Sequence, residues 1–388
     1  MKILVATDAW HPQVNGVVHT LGQVAREARA LGAELEFLTP GDFRTLPLPS
    51  YPEIRLALPG PGEIARRFDR SRPDAVHVAT EGPLGHAVRR LCTRRRLPFT
   101  TSFHTRFPDY LAERLPVPES LTCGVAWGWL RRFHCAGAAV LAATPTLAAE
   151  LSARGFTNVR LWPRGVDADL FRPRGRGVLN LPRPVFLTVG RLAVEKNIEA
   201  FLKLELPGSK VVVGDGPARA QLAKSYPDAV FLGAHHGETL ADIYASADVF
   251  VFPSRTDTFG LVLLEALASG VPVAAFPATA PRDVIGEAPI GVLDENLRCA
   301  CLEALELSRH DCRDFAVAMT WQKSANKFLE HVMQATRCKT TPLPEHPCRR
   351  VLCGVSLAAW APSIRSIPPL PTSTQRPSSW PASRCARR

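Results

Sequence analysis

The chain has 388 residues, 46% of them hydrophobic and 21% charged, with a formal net charge of +11. That length allows two domains of ordinary size, and no run approaches the ~18 uninterrupted apolar residues of a membrane-spanning helix. The charge is uneven: from Thr336 onward nine Lys/Arg face a single acid, which leaves a mildly basic body for which no nucleic-acid partner is expected.

The N-terminus, Met1 to Asp8, has an apolar run too short for a signal peptide and reads as a first buried strand of a cytoplasmic protein. Ten cysteines show no paired ligand spacing: Cys299-x-Cys301 is isolated and His235-His236 has no partner motif. Reduced, scattered thiols and no metal centre are expected.

After the strand Lys2 to Thr7 comes the loop Asp8-Ala9-Trp10-His11-Pro12-Gln13-Val14-Asn15-Gly16. A helix follows from Val17 to Leu31 with Val17, Leu21, Val24, Ala28 and Leu31 on one face. Gly16 has no Cβ, so its amide can approach a phosphate closely. The loop lacks the G-x-G-x-x-G of a dinucleotide fold, which weakens an oxidoreductase reading. Leu35 to Thr39 is the second strand, and Pro40 to Pro61 is Pro-rich and irregular. The strand Ala75 to Ala79 runs through Thr80-Glu81-Gly82-Pro83 into a helix that ends among Arg89-Arg90 and Arg94-Arg95-Arg96. Those cations suit the helix dipole; a solvated face and a contact with anionic lipid both fit them. A strand from Phe99 delivers His104 to its C-terminal end, the ligand side of an open α/β sheet, with Arg106 and Asp109 just beyond. Leu111 to His134 mixes Trp127, Trp129, Leu130 and Phe133 with arginines, the composition of a packed helix or of an interfacial one. Val140 to Pro145, a helix from Thr146 to Arg154, and Val159 to Asp167 close the first half, and Phe171 to Pro184 reads as the linker.

The pattern restarts with the strand Pro184 to Gly190. Arg191 and Lys196 follow it, two cations near a helix start where a diphosphate would sit. Strands at Lys210 to Val213 and Ala229 to Gly233, and a helix at Leu240 to Ser246, lead to the most informative stretch. There Asp248 to Phe252 ends at Pro253-Ser254, and the loop Arg255-Thr256-Asp257-Thr258-Phe259 feeds a helix opened by Gly260 and closed by Ser269-Gly270. Backbone donors around Phe259, Gly260 and Leu261 point at an incoming ligand. Asp257 lies in the loop and Glu265 roughly one and a half turns into the helix, so two carboxylates reach one crevice at different depths. Paired hydroxyls of a sugar or ribose suit them better than a metal. Leu297 to Glu306 and Trp321 to Met333 are helical, the second expected to pack back across the domain junction. The tail, 336–388, is rich in Pro, Ser and Arg and is expected to be disordered.

The spacing from Asp257 to Glu265 resembles the acidic-x7-acidic signature of the family 4 glycosyltransferases, with Asp in place of the commoner first Glu. The Pro-x-x-Asn-Gly-Val loop, His104 and the pair Arg191 and Lys196 resemble other parts of the same family's site, and the resemblance spans about Met1 to Ala335. It implies an α/β GT-B fold of two doubly wound, Rossmann-like domains facing across a cleft: 1–170 on the acceptor side and 171–335 binding the donor. It implies that Asp257 binds the donor sugar, Glu265 the nucleotide ribose, Arg191 and Lys196 the diphosphate, and that Gly16 backs that diphosphate. His104 would lie beside the donor sugar, while Asn15, Arg106 and Asp109 would meet the acceptor. The turn Ala278-Thr279-Ala280-Pro281 departs from the family by carrying alanine where relatives often have glycine.

By the same resemblance the chain is a retaining, metal-independent hexosyltransferase without a cofactor beyond its nucleotide-sugar co-substrate. It looks most like the branch that builds glycolipids from GDP-mannose on a lipid or glycan acceptor, which implies a peripheral place on the inner face of the cytoplasmic membrane. UDP-glucose or UDP-glucuronate transfer to diacylglycerol is the nearest alternative, and a noncatalytic nucleotide-sugar or glycan-binding protein on the same scaffold is the other.

Overall fold

A computed structural model of the chain describes residues 1–13, 15–48, 51–104, 119–175 and 177–337. Arg106, Asp109 and nearly all of the basic tail lie outside the described residues.

In chain order the elements are β1 (Lys2–Ala6), α1 (Gly16–Ala30), β2 (Glu34–Leu38), β3 (Thr45–Leu48), β4 (Tyr51–Ala57), α2 (Glu63–Ser71), β5 (Ala75–Val78), α3 (Pro83–Arg95), β6 (Thr100–Phe103), α4 (Glu119–His134), β7 (Ala139–Ala142), α5 (Pro145–Ala153) and β8 (Val159–Leu161). The second half continues with β9 (Val185–Val189), α6 (Ile198–Leu202), β10 (Ser209–Val213), α7 (Arg219–Ser225), β11 (Val230–Gly233), α8 (Gly237–Ser246), β12 (Val249–Phe252), α9 (Leu261–Ala268), β13 (Val273–Ala275), α10 (Thr279–Ile285), β14 (Gly291–Leu293), α11 (Leu297–Glu303), α12 (Arg309–Val317) and α13 (Trp321–Arg337).

Alternating strands and helices give two six-stranded sheets, ordered β2-β1-β5-β6-β7-β8 and β11-β10-β9-β12-β13-β14, and every ladder within them is parallel. Parallel ladders need helical crossovers, so both faces of each sheet are covered. In the second half the strands accordingly read as apolar runs, such as Val249-Phe250-Val251-Phe252, all buried. Each sheet has its own core: Ile3, Val5, Leu21 and Leu141 belong to the first, and Leu187, Phe250, Leu264 and Val273 to the second. This is the two-domain, doubly wound architecture the resemblance implies.

Several elements differ from the sequence reading. The stretch from Pro40 to Pro61 is not wholly irregular: β3 and β4 pair antiparallel as a separate ribbon. Its prolines are tolerable because a two-stranded ribbon consists only of edge strands. Helices α2, α7, α10 and α12 and strand β14 were not anticipated; each is only three to nine residues long, too short to establish a period that the sequence reading could use.

The last helix runs four residues beyond the expected end and returns to the first sheet. Trp321, Ala325, Phe328 and Val332 join the core of Ile3 and Leu21. Trp162 Nε1 donates to Ser324 O at 3.1 Å, and Ser324 Oγ donates to Pro163 O at 2.7 Å. Gly165 is required at this junction, since a Cβ there would lie 2.3 Å from Trp321 N. The first and last parts of the chain therefore close on one another, with the second sheet inserted between them in sequence.

Candidate functional site

In the second half the strand ends β9 and β12 are neighbours in the sheet, so the loops that leave them meet. Asn197, held at φ 52°, donates from its side-chain amide to Pro253 O at 3.1 Å. Glu195 O accepts from Thr256 Oγ1 at 3.3 Å. These bonds fasten 191–197 to 253–257 and bring Lys196 Nζ to 2.5 Å from Asp257 Oδ1. Both partners are largely shielded, with side chains 26% and 15% exposed, so water screens the pair less than a surface ion pair. Arg191 sits half-buried in the turn after Gly190. That turn is packed tightly: Gly214 lies beneath it, and a Cβ there would come 1.9 Å from Gly190 O.

Helix α9 begins at Leu261. Gly260 precedes it in the left-handed region at φ 76° and supplies no capping side chain, so the first amides of α9 are left for a ligand. The ring of Phe259 packs against the second core, leaving its backbone rather than its side chain at the loop surface. Glu265, further along the helix, accepts a 2.9 Å hydrogen bond from the buried Tyr244 hydroxyl. Burial pushes its carboxyl up to about 7, against the smaller opposing effect of that bond.

The first half supplies the opposite wall. Gly16 is the first residue of α1 and stands so close to Leu261 that a Cβ on it would lie 3.8 Å from Leu261 Cδ1; Leu261 itself packs on the first core. Asn15 is the N-cap of α1: its Oδ1 accepts from Val17 N and Val18 N, both at 3.0 Å. Its side-chain amide donates to Gln13. Its side chain is thus occupied in holding the helix start that presents Gly16.

His104 follows β6 directly. Its carbonyl accepts from Thr258 Oγ1 at 2.8 Å, which ties it to the loop carrying Asp257. Its Nδ1 lies 3.5 Å from Arg164 Nη2, and its Nε2 is buried without a partner. Burial first, and the Arg164 charge second, hold its pKa well below 6.5. Of the residues marked in the sequence, the structure brings Gly16 against Leu261, Lys196 against Asp257, and His104 against the Asp257 loop. The acceptor-side candidates Arg106 and Asp109 lie outside the described residues.

Three features of the site have no local signal in the sequence. Thr258 is the residue that joins the halves at His104. Arg164 is a buried cation, 5% exposed, in the stretch from Trp162 to Asp167. Asp283 of α10 accepts from Thr146 N at 3.2 Å and from the Thr146 hydroxyl, at the first turn of α5. The alanine at 278 causes no distortion before α10, since its φ of −83° is ordinary for any residue. Between the halves His19, Asp167, Phe171, Leu261, Glu265 and Trp321, among others, line a crevice too narrow to admit a water molecule. Ligand pockets run to about 300–1,000 Å³, so this one must open before it takes a nucleotide. Among the described residues, no group of three or more His, Cys, Asp or Glu side chains could hold a metal ion, and no helix is long and apolar enough to cross a membrane.

Comparison with known proteins places two family profiles on the chain: Glycosyltransferase Family 4 over residues 14–170, and Glycosyl transferases group 1 over residues 183–306. A GDP-mannose-dependent alpha-mannosyltransferase of Mycobacterium tuberculosis is 34% identical over 76% of this chain and 83% of its own length. A sulfoquinovosyl transferase of Arabidopsis thaliana is 31% identical over 71% of this chain and 59% of its own. Among solved structures, a sucrose-phosphate synthase of Thermosynechococcus elongatus superposes with a TM-score of 0.70 at 20% identity, covering 86% of this chain and 98% of that one.

Proposed function

The chain belongs to the family 4 glycosyltransferases and has their GT-B fold, and on that premise we propose that it moves mannose from GDP-mannose to a lipid or glycan acceptor with retention. The choice of GDP-mannose is supported by the mycobacterial relative and by the Pro253 to Gly260 version of the motif.

One observation carries the site assignment: Lys196 and Asp257 meet on a loop that also bonds to His104 of the other half. When the glycosidic bond breaks, charge grows on the departing diphosphate. Groups that meet it there act on the transition state more than on the ground state. Lys196, Arg191 and the open amides of α9 fill that role without a metal ion. Asp257 holds Lys196 until the diphosphate arrives and then turns its carboxylate to the sugar hydroxyls. Glu265 takes the ribose diol, with Tyr244 fixing its orientation. His104 contacts the sugar from the first half. The acceptor hydroxyl approaches on the face the leaving group vacates, and its proton goes to the departing phosphate oxygen.

A membrane-bound acceptor fits a second surface. On α4, Val125 and Trp129 are 70% and 39% exposed, beside exposed Arg132 and, on α3, Arg90 and Arg94. Not all of the arginines there are available. Arg89 donates to Phe133 O and Arg132 O, closing the end of α4, and Arg95 pairs with Asp69. Exposed apolar side chains on a helix that also carries exposed cations suit an anionic lipid surface.

The test is transfer by the purified full chain, given membrane lipid extract and GDP-mannose, UDP-glucose or UDP-glucuronate, each labelled in the sugar. Label entering the lipid from GDP-mannose alone is expected. Transfer from a UDP-sugar alone would replace the donor assignment, and binding without transfer from any donor would support the noncatalytic alternative.

A further inference from the structure

We propose that Arg164 fixes the neutral His104 side chain as the tautomer with its proton on Nε2, making this imidazole a hydrogen-bond donor to a ligand oxygen in the cleft. A guanidinium has five N–H groups and no acceptor. With Arg164 Nη2 3.5 Å from His104 Nδ1, the favourable partner at Nδ1 is a lone pair. A neutral imidazole then carries its single proton on Nε2.

Arg164 is held so that this choice persists. Its Nη1 donates to Trp162 O at 2.6 Å, and its guanidinium carbon lies 4.2 Å from the centre of the Trp162 ring. Trp162 is fully buried and anchored through its Nε1 to Ser324 of α13. Among the described residues no carboxylate contacts Arg164, and its cation lies directly beside the ring.

Among the described residues, the other titratable groups acting on His104 are His77 and His134. Both have spent their nitrogens. His77 contacts Thr100 and Ser102 at 2.8 and 2.9 Å, and His134 contacts Thr101 and Glu81 at 2.8 and 3.1 Å. His104 alone of the three keeps a buried nitrogen without a partner, Nε2. A buried donor left unmatched is costly, and a hydroxyl or phosphoryl oxygen would satisfy it. An N–H at that position cannot take a proton, so the imidazole orients the ligand and is not the base. Arg164 is in turn a positioning residue that acts through His104. The identity of the oxygen rests on the transfer reading above; the tautomer does not.

Nitrogen NMR of the full chain labelled with 15N-histidine separates the two. In ligand-free protein at neutral pH, His104 should show an unprotonated Nδ1 and a protonated Nε2. An imidazolium, or a proton on Nδ1, overturns the proposal even if transfer is active. The expected tautomer in a protein that transfers no sugar would instead sink the functional reading alone. Arg164→Met should shift His104 toward the other tautomer, raise its pKa, and lower kcat on the order of tenfold with a new acidic limb in the pH profile. Arg164→Lys, which restores a donor and a charge, should recover part of both. A His104 spectrum unchanged in Arg164→Met would overturn the proposal; should that variant not fold, the wild-type and Arg164→Lys spectra decide.

Discussion

The two walls of the cleft are built from different materials. The donor-side wall is made of charges and open amides from two short loops, 191–197 and 253–260, stitched together by Asn197 and Glu195. The wall opposite is a network of buried, mutually hydrogen-bonded polar groups that includes the buried cation Arg164. Strand β6 is Thr-Thr-Ser-Phe, entirely buried, with His77 bonded from one face and His134 from the other. Asp8 at the end of β1 accepts from Leu84 N and Gly85 N and so caps α3. On the proposed reading, charge lies where the diphosphate is held and preorganised hydrogen bonds lie where hydroxyls are oriented.

The largest expected effect comes from the donor side. Lys196→Ala removes the proposed diphosphate contact and leaves the shielded carboxylate of Asp257 without its Lys196 partner. Turnover should fall ~100-fold or more while circular dichroism stays native. A loss confined to a few-fold would mean that the charged wall is not where the leaving group sits.

Glu265 sharpens the comparison through pH. Its carboxyl is raised from 4.5 to about 7 in the folded chain, so the native state binds a proton that the unfolded state has released. This group's contribution to stability is therefore complete below 4.5 and is lost as pH rises through about 7, at a cost of at most ~3 kcal/mol. Glu265→Gln should raise Tm relative to the wild type above pH 7 but not in acid, and should weaken nucleotide binding about tenfold or more. Wild-type nucleotide affinity should rise with pH across the same range, because the ribose hydroxyls donate to the ionised form. Calorimetry at several pH values checks both.

Smaller effects concern how the walls meet. Asp283→Ala cuts the bonds from α10 to the first turn of α5, a direct tie between the halves alongside Thr258 to His104. Small-angle scattering should show a more open chain and kcat/KM should fall a few-fold. The smallest effect should follow removal of 338–388, which leaves α13 whole and should leave transfer to a soluble acceptor unchanged.

The contrast between the walls also explains what could be read from the chain. The donor wall is local in sequence: Asp257 and Glu265 share one loop and helix, and Arg191 and Lys196 another, so motif spacing exposes them. The wall opposite draws Asp8, Thr80, Glu81, Thr101, His134 and Arg164 from five separate places, and only the fold assembles them. Arg164 resembles any solvated arginine until Trp162 and α13 enclose it. Asn15 reads as a ligand residue by its neighbourhood, yet its oxygen is consumed by the amides of α1.

The central claim is that one nucleotide sugar touches both walls at once, and hydrogen exchange on the full chain with and without GDP-mannose tests it most directly. The account predicts simultaneous protection of amides near Gly16, at 191–197 and at 260–264. Protection confined to one half, or lying outside these segments, would contradict it.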